Sequence, residues 1–209
     1  MSRHVRRSER DRAARRSARA RPAPGSSSAG EVRLIAGRWR GRRLPVASVA
    51  GLRPSGDRLR ETLFNWLQPT LSGARCVDLF AGSGALGFEA LSRGAASLVL
   101  VETDREARRV LAESVTRLDA EAMVTLDAGP AARFVAMAEG PFDLLFADPP
   151  FDRPELLECL PLAEALLAPN ARLYIEQPAS RSFELEQPGW ISWRERRFGD
   201  VVARLFRRS

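Results

Sequence analysis

An apolar strand pattern breaks into a glycine-rich turn and resumes as a helical pattern in Cys76-Val77-Asp78-Leu79-Phe80-Ala81-Gly82-Ser83-Gly84-Ala85-Leu86-Gly87, and this stretch constrains the chain more than any other. A buried strand that feeds a helix in this way opens a layered α/β sheet whose ligands sit beyond the carboxyl ends of the strands. Gly82, Gly84 and Gly87 keep the G-x-G-x-x-G spacing. Such glycines let backbone approach a ligand closely, and the N–H groups of the new helix, expected over 88–93, point at it. The next strand, expected over 98–101, runs into Glu102, where a carboxylate can grip both hydroxyls of a ribose. The first half therefore reads as the seat of an adenosine-containing cofactor.

Asp78, four residues before the first glycine, narrows the choice. A carboxylate there repels the pyrophosphate of a nicotinamide dinucleotide and attracts the sulfonium and ammonium of S-adenosylmethionine. The chain contains no Lys, which excludes a P-loop lysine, a Schiff base and a Tyr-Lys dehydrogenase pair. The single histidine, His4, lies in an Arg-rich tail, so histidine acid–base chemistry is not expected. One His and two distant cysteines, Cys76 and Cys159, cannot assemble a zinc site.

Seventy residues further on, the apolar run Phe142-Asp143-Leu144-Leu145-Phe146-Ala147 reads as a buried parallel strand and ends in Asp148-Pro149-Pro150-Phe151. The Asp can accept hydrogen bonds from an exocyclic NH2, the prolines stiffen the loop, and the Phe offers a flat face to a base. That combination suits methylation of an amino group on a nucleobase. Around it, strands are expected over 98–102, 123–126, 142–147 and 171–176. Helices are expected over 57–67, 104–118 with Asp104 as cap, 131–138 and 154–167. The regular alternation implies a doubly wound, mostly parallel sheet, and runs 191–198 and 201–206, joined by Gly199-Asp200, add an antiparallel edge. Asp78, Glu102, Asp127 and Asp148 all fall at strand ends. Residues 32–36 and 42–46 flank Gly37-Arg38-Trp39-Arg40-Gly41 and read as a small hairpin with a basic, aromatic tip.

Charge is unevenly spread. The net charge is +7, and residues 1–30 alone, with nine Arg against Glu9 and Asp11, carry that amount. Residues 31–60 hold eight Arg against two acids, residues 189–209 six against two, and the middle is strongly acidic. Convergence of the two basic ends would give a cationic face suited to a phosphate backbone. The tail, rich in Arg, Ala and Ser, cannot bury a core and is expected to be disordered; it is also faintly similar to an organelle transit peptide. No signal peptide or membrane span is evident, so a reducing cytoplasm is the expected compartment.

Residues 32–207 resemble the RsmD family of bacterial methyltransferases. The matching pieces are Gly37-Arg38-Trp39-Arg40-Gly41-Arg42-Arg43-Leu44, Leu52-Arg53-Pro54, Asp57-Arg58 followed by Arg60-Glu61-Thr62-Leu63-Phe64-Asn65-Trp66-Leu67, the Asp78 to Gly87 loop with Glu89-Ala90-Leu91-Ser92-Arg93, and Asp148-Pro149-Pro150-Phe151. Where the family has Thr followed by Thr or Ser after the Arg-Pro pair, this chain has Ser55-Gly56, which keeps one hydroxyl and loses the other.

The resemblance implies a Rossmann-like, class I S-adenosylmethionine-dependent methyltransferase fold over 51–209. A hairpin arm over 31–50 and a disordered tail over 1–30 would precede it. It further implies methyl transfer to guanine N2 in 16S ribosomal RNA, within an assembling small subunit, by a monomer without metal. Asp148, Pro149, Pro150 and Phe151 would be catalytic. Arg53, Asp78, Phe80, Gly82, Ser83, Gly84, Glu102, Asp127 and Ala128 would hold the cofactor, and Arg38, Trp39, Arg40, Arg42 and Arg43 would hold RNA. The alternatives are amino methylation of adenine or cytosine in DNA and an RNA-binding assembly factor with a relic cofactor pocket.

Overall fold

The computed structural model describes residues 30–49, 55–149, 159, 161–180, 185 and 189–208. Residues 1–29 of the tail assigned to disorder, Arg53, Pro150, Phe151, and 154–158 and 160 of the helix expected over 154–167 lie outside these residues. A seven-stranded sheet carries β3 (Arg75–Asp78), β4 (Ser97–Val101), β5 (Val124–Asp127), β6 (Phe142–Ala147), β7 (Leu167–Pro178), β8 (Trp190–Phe198) and β9 (Val201–Arg208) in the order β5-β4-β3-β6-β7-β9-β8. The pairs from β5 through to β7 are parallel, and β9 and β8 close the edge antiparallel. The sheet is thus the mostly parallel one expected, with its antiparallel hairpin at one edge.

The helices follow from spacing and caps. In α1 (Asp57–Leu67), Leu59, Leu63, Phe64 and Leu67 share one buried face, and the helix tightens into a 3-10 turn over Gln68–Thr70, where Pro69 has no N–H to continue the α-helical ladder. α2 (Ala85–Ser92) follows the glycine turn, and α3 (Arg105–Arg117) is capped by Asp104, whose carboxylate accepts from Ala107 N at 2.8 Å. One layer of core, containing Phe64, Phe88, Leu111, Phe146 and Tyr174, lies between the sheet and α1, α2 and α3. The other contains Val77, Val101, Leu145 and Leu173 beneath α4 (Ala131–Met137). With both faces covered, β6 is apolar at nearly every position, as a central parallel strand must be.

β1 (Glu31–Arg33) and β2 (Arg43–Pro45) form the expected hairpin, but it is fused to the main body. Leu34, Trp39 and Leu44 belong to the same core as α1 and α2. Glu89 of α2, fully buried, accepts from Ile35 N at 2.7 Å and Ala36 N at 3.1 Å and pairs with Arg93 and buried Arg60. Ser92 adds bonds to Trp39 N and Ala36 O, and Arg38 N donates to Ser92 O. At Gly37, a Cβ would stand 1.8 Å from Ser92 O, so only glycine permits this approach.

Three expectations need correction. Trp39 is buried at 7% exposure with the Arg38 guanidinium 3.9 Å above its ring, so it anchors the hairpin and presents no face for a base. The basic segments converge only in part: α1, which brings Arg58 and Arg60 to the end of the first, packs on β9 of the second, while the hairpin rests on α2 and α3 and the Arg-rich β8 is the outermost strand of the sheet. Strand β7 begins at Leu167, where helix was expected, because the chain tightens to a 3-10 turn over Glu164–Leu166 and then pairs with β6 from Phe142 onward.

Candidate active site

The carboxyl edge of the parallel strands gathers the acids. Asp78 ends β3, Glu102 follows β4, Asp127 ends β5 and Asp148 follows β6. Between β3 and α2 the glycine turn is held in place by short bonds. Gly84 N donates to Ala81 O at 2.7 Å, and Gly82 N donates to Glu102 Oε2 at 2.8 Å. Glu102 Oε1 accepts from Asp104 N at 2.8 Å, so a single carboxylate bridges the glycine turn and the start of α3. Each carboxylate oxygen retains acceptor capacity beyond these bonds. Gly84 has φ +72°, and a Cβ there would come within 2.5 Å of the Phe88 ring; at Gly87 it would strike Leu98 and Leu100 at 2.8 Å. The turn therefore requires glycine for backbone conformation at Gly84 and for helix–strand packing at Gly87. Ser83 is buried with its Oγ 3.4 Å from Ala85 N, and Phe80 is half-buried beside Asp78. Asp127 accepts from Gly129 N at 2.7 Å and Arg133 at 2.9 Å, next to exposed Ala128.

Strand register carries Asp78 and Asp148 to one face of the sheet. Asp78 is opposite Phe146 and Asp148 lies two residues beyond it, the spacing that returns a side chain to the same side. A further acid joins them. Ala147 is opposite Ile175, so Asp148 stands beside Glu176 of β7, a residue that no sequence motif marks. Glu176 is buried, and its Oε1 accepts from Ser55 Oγ at 2.6 Å and Tyr174 Oη at 2.9 Å. The signal that could have found it was present: it is one more acid near the carboxyl end of a parallel strand.

Desolvation dominates the electrostatics. Burial pushes the Asp78 carboxyl up to about 7, reinforced by Glu102 and Glu176 and opposed by the N–H groups of Phe80 and Gly87. Asp148, whose residue keeps a partly exposed surface, is raised well above the usual carboxylate range by desolvation of its carboxyl, then by Glu176 and Asp78, with the Ser55 hydroxyl acting the other way. Glu176 is raised by burial and drawn back by the hydroxyls of Ser55 and Tyr174. Burial and these acids raise Tyr174 as well, so its hydroxyl stays a donor. No Arg is among the causes acting on the three acids. Such a cluster is complementary to a cationic ligand and repels a pyrophosphate.

The arginines of the hairpin lie elsewhere. Arg38 reaches Met123, Arg42 donates to Arg117 O at the end of α3, and Arg43 pairs with Glu31. With Arg40, these positions surround a tip that rests on Ser92 and Met123, at the amino edge of the sheet. The four residues of β3 alone put this edge about 13 Å from the acids. Among the described residues no helix is long and apolar enough to cross a membrane.

Comparison with known proteins gives concordant matches. Residues 32–207 match the family model described as conserved hypothetical protein 95. Ribosomal RNA small subunit methyltransferase D of Escherichia coli strain K12 is 43% identical over 188 residues, which span 89% of this chain and 94% of that protein. The protein of the same name from Haemophilus influenzae is 40% identical over 182 residues, 85% of this chain and 94% of that one. A solved structure of a methyltransferase-designated protein from Escherichia coli superposes with a TM-score of 0.77 at 41% identity, covering 86% of this chain and 98% of that one.

Proposed function

The chain belongs to the family described as conserved hypothetical protein 95, the RsmD methyltransferases, and from this premise we propose that it methylates the N2 amine of a guanine in 16S ribosomal RNA. The observation that carries the reading is the meeting of Asp78, Asp148 and Glu176 beside a glycine turn braced by Glu102. We assign S-adenosylmethionine as the methyl donor. Glu102 would take the ribose hydroxyls, Asp127 and Ala128 the adenine, and Asp78 the positive charge, with Phe80, Gly82, Ser83 and Gly84 lining the turn. When bound, the cofactor supplies an electrophilic methyl on a sulfonium that departs as a neutral thioether.

The chain's own residues would do the rest. The guanine N2 lone pair is delocalised into the ring and is a poor nucleophile. Hydrogen bonds from the NH2 to the Asp148 carboxylate and the Pro149 carbonyl would favour a pyramidal nitrogen whose lone pair is aimed out of the ring. The carboxylate would also stabilise the positive charge that develops there. The resemblance assigns stacking on the extruded base to Phe151 and a cofactor contact to Arg53, both outside the described residues. The guanidinium groups of Arg38, Arg40, Arg42 and Arg43 would hold the RNA backbone at a distance from the reacting base, within an assembling small subunit in the cytoplasm, and the enzyme would act as a monomer.

Asp148→Ala tests the assignment. Methyl transfer to ribosomal RNA should be abolished while S-adenosylmethionine affinity is kept, since the carboxylate acts on the acceptor amine. Equal loss of both would make Asp148 structural, and duplex DNA methylated in preference to ribosomal RNA would overturn the substrate.

A further inference from the structure

Strands β7, β8 and β9 together hold seven Arg against two acids, Glu176 and Glu195. Register sorts these residues by face. Glu176 is opposite Ala203, which is opposite Arg196; Tyr174, Leu205 and Arg194 form the next row on that face, and Arg172, Arg207 and Ile191 the one after. Between the last two rows Trp193 is the extra residue of a bulge in β8, and its ring packs against the core shared with α1. The Arg172 and Arg194 guanidinium groups stand 5.3 and 4.7 Å from that ring. Four arginines thus share the face that carries Glu176 and Asp148, whereas Glu195 projects from the other face and pairs with Arg204 at 2.7 Å. Among the described residues Arg172, Arg194, Arg196 and Arg207 have no carboxylate partner. Arg172 donates to the carbonyls of Asn170 and Ala171 and keeps a buried Nε–H unpaired, directly opposite the like charge of Arg207. Like charges so placed cost stability, and an anion between them removes the cost.

We propose that this face of β7, β9 and β8 is a docking surface for ribosomal RNA, on which Arg196, Arg194, Arg207 and Arg172 take phosphates of the strand whose guanine enters the Asp148 pocket, with Trp193 holding two of the guanidinium groups in place. This rests on the assignment of Asp148 to the acceptor amine. Arg196 shares a row with Glu176 and Asp148 and lies three strand spacings from Asp148, about 14 Å. From there the arginines run down the strands over four residues, from the level of Glu176 to that of Arg172, about 13 Å. A guanine extruded to Asp148 leaves its own phosphate outside the pocket, and the adjoining backbone meets this strip. Guanidinium groups suit the task, since their planar forks match phosphate oxygens two at a time. Such contacts carry no base sequence, but groups fixed to a sheet set the register of the chain they hold. A second copy of this protein is the other occupant that an edge strand invites. Pairing β8 with β8 would bring Arg-rich strands together, and their charge opposes it.

The double variant Arg194→Ala with Arg196→Ala tests the surface, because both side chains are exposed and lie outside the core. Filter binding of ribosomal RNA over a salt series should show affinity at low salt lower by at least about tenfold, and a slope smaller by up to about 1.4, or about 0.7 for each phosphate no longer neutralised. Methylation at subsaturating RNA should fall in step, with S-adenosylmethionine affinity within about twofold of wild type. Arg194→Lys with Arg196→Lys, which keeps both charges, should keep the slope. Arg197→Ala, one residue on and projecting from the other face, should leave slope and affinity as they are. An unchanged slope in the double Ala variant, or an equal loss in Arg197→Ala, would overturn the docking surface. A wild-type dimer in sedimentation that separates in the double Ala variant would assign the face to a second copy and overturn it as well. Full activity in Asp148→Ala would instead overturn the assignment beneath it, so the two failures are distinguishable.

Discussion

Binding of S-adenosylmethionine should expel protons from the acid cluster, and Asp78 sets the amount. Its folded-state value of about 7 lies above the ordinary 3.8, so the folded, ligand-free protein holds a proton there that the unfolded chain has lost. A raised carboxyl of this kind lowers stability as pH climbs from about 4 to 7, by roughly 4 kcal/mol in total, and has no further effect above that window. A bound cation reverses the shift and displaces the proton. The release should be about 0.9 proton at pH 6, about 0.5 at pH 7 and about 0.1 at pH 8 for Asp78 alone. Asp148 and Glu176, both raised by burial, interact with it and add to the total. Calorimetry in buffers of different ionisation enthalpy reads the number directly as a slope. Asp78→Asn should remove this share of the release, weaken binding, and stabilise the ligand-free protein at pH 8 relative to wild type. Proton uptake, or no exchange at pH 6 and 7, would refute the electrostatic account of the pocket.

Glu102→Ala removes the brace between Gly82 N and Asp104 N and, under the proposed cofactor assignment, the acceptor for two ribose hydroxyls. At about 1.5 to 3 kcal/mol per charged hydrogen bond, cofactor affinity should fall by at least about tenfold, read by calorimetry; tight NADH binding in its place would contradict the cofactor assignment. Glu89→Ala leaves Arg60 and Arg93 without their buried partner and two hairpin N–H groups without an acceptor. A loss of about 3 to 5 kcal/mol should lower the melting temperature by about 6 to 20 °C in a thermal scan, and a change within about 2 °C would show that the hairpin is not fastened there. Replacing Arg40, Arg42 and Arg43 by Ala should reduce the salt dependence of RNA binding, by up to about 0.7 in slope for each phosphate no longer neutralised, while cofactor affinity holds; an unchanged slope in a filter-binding series would move the RNA interface elsewhere.

Local pattern was enough for everything governed by near neighbours along the chain. The strand–turn–helix at Cys76 to Gly87 was legible because backbone conformation at Gly84 and close packing at Gly87 admit only glycine. Asp104 declared the start of α3 by capping chemistry, and the unbroken apolar run of β6 declared a strand covered on both faces. The same run placed Asp148 at a strand end, where a doubly wound sheet binds its ligands. Burial and partnership across the chain were decided only by tertiary structure. A tryptophan among arginines reads as an exposed tip, but Trp39 is drawn into the core because the whole hairpin lies on α2. Its fastening depends on Glu89 meeting Ile35 and Ala36 across more than fifty residues. How far the two basic ends converge was set by packing, since α1 lies against β9 while the hairpin rests on α2 and β8 forms the sheet edge. Glu176 was one acid among many until β6–β7 register set it beside Asp148 and folding brought Ser55 to it from 121 residues away. Propensity and periodicity act over a turn or a strand, whereas desolvation and hydrogen bonding act between whatever groups the packed layers bring together.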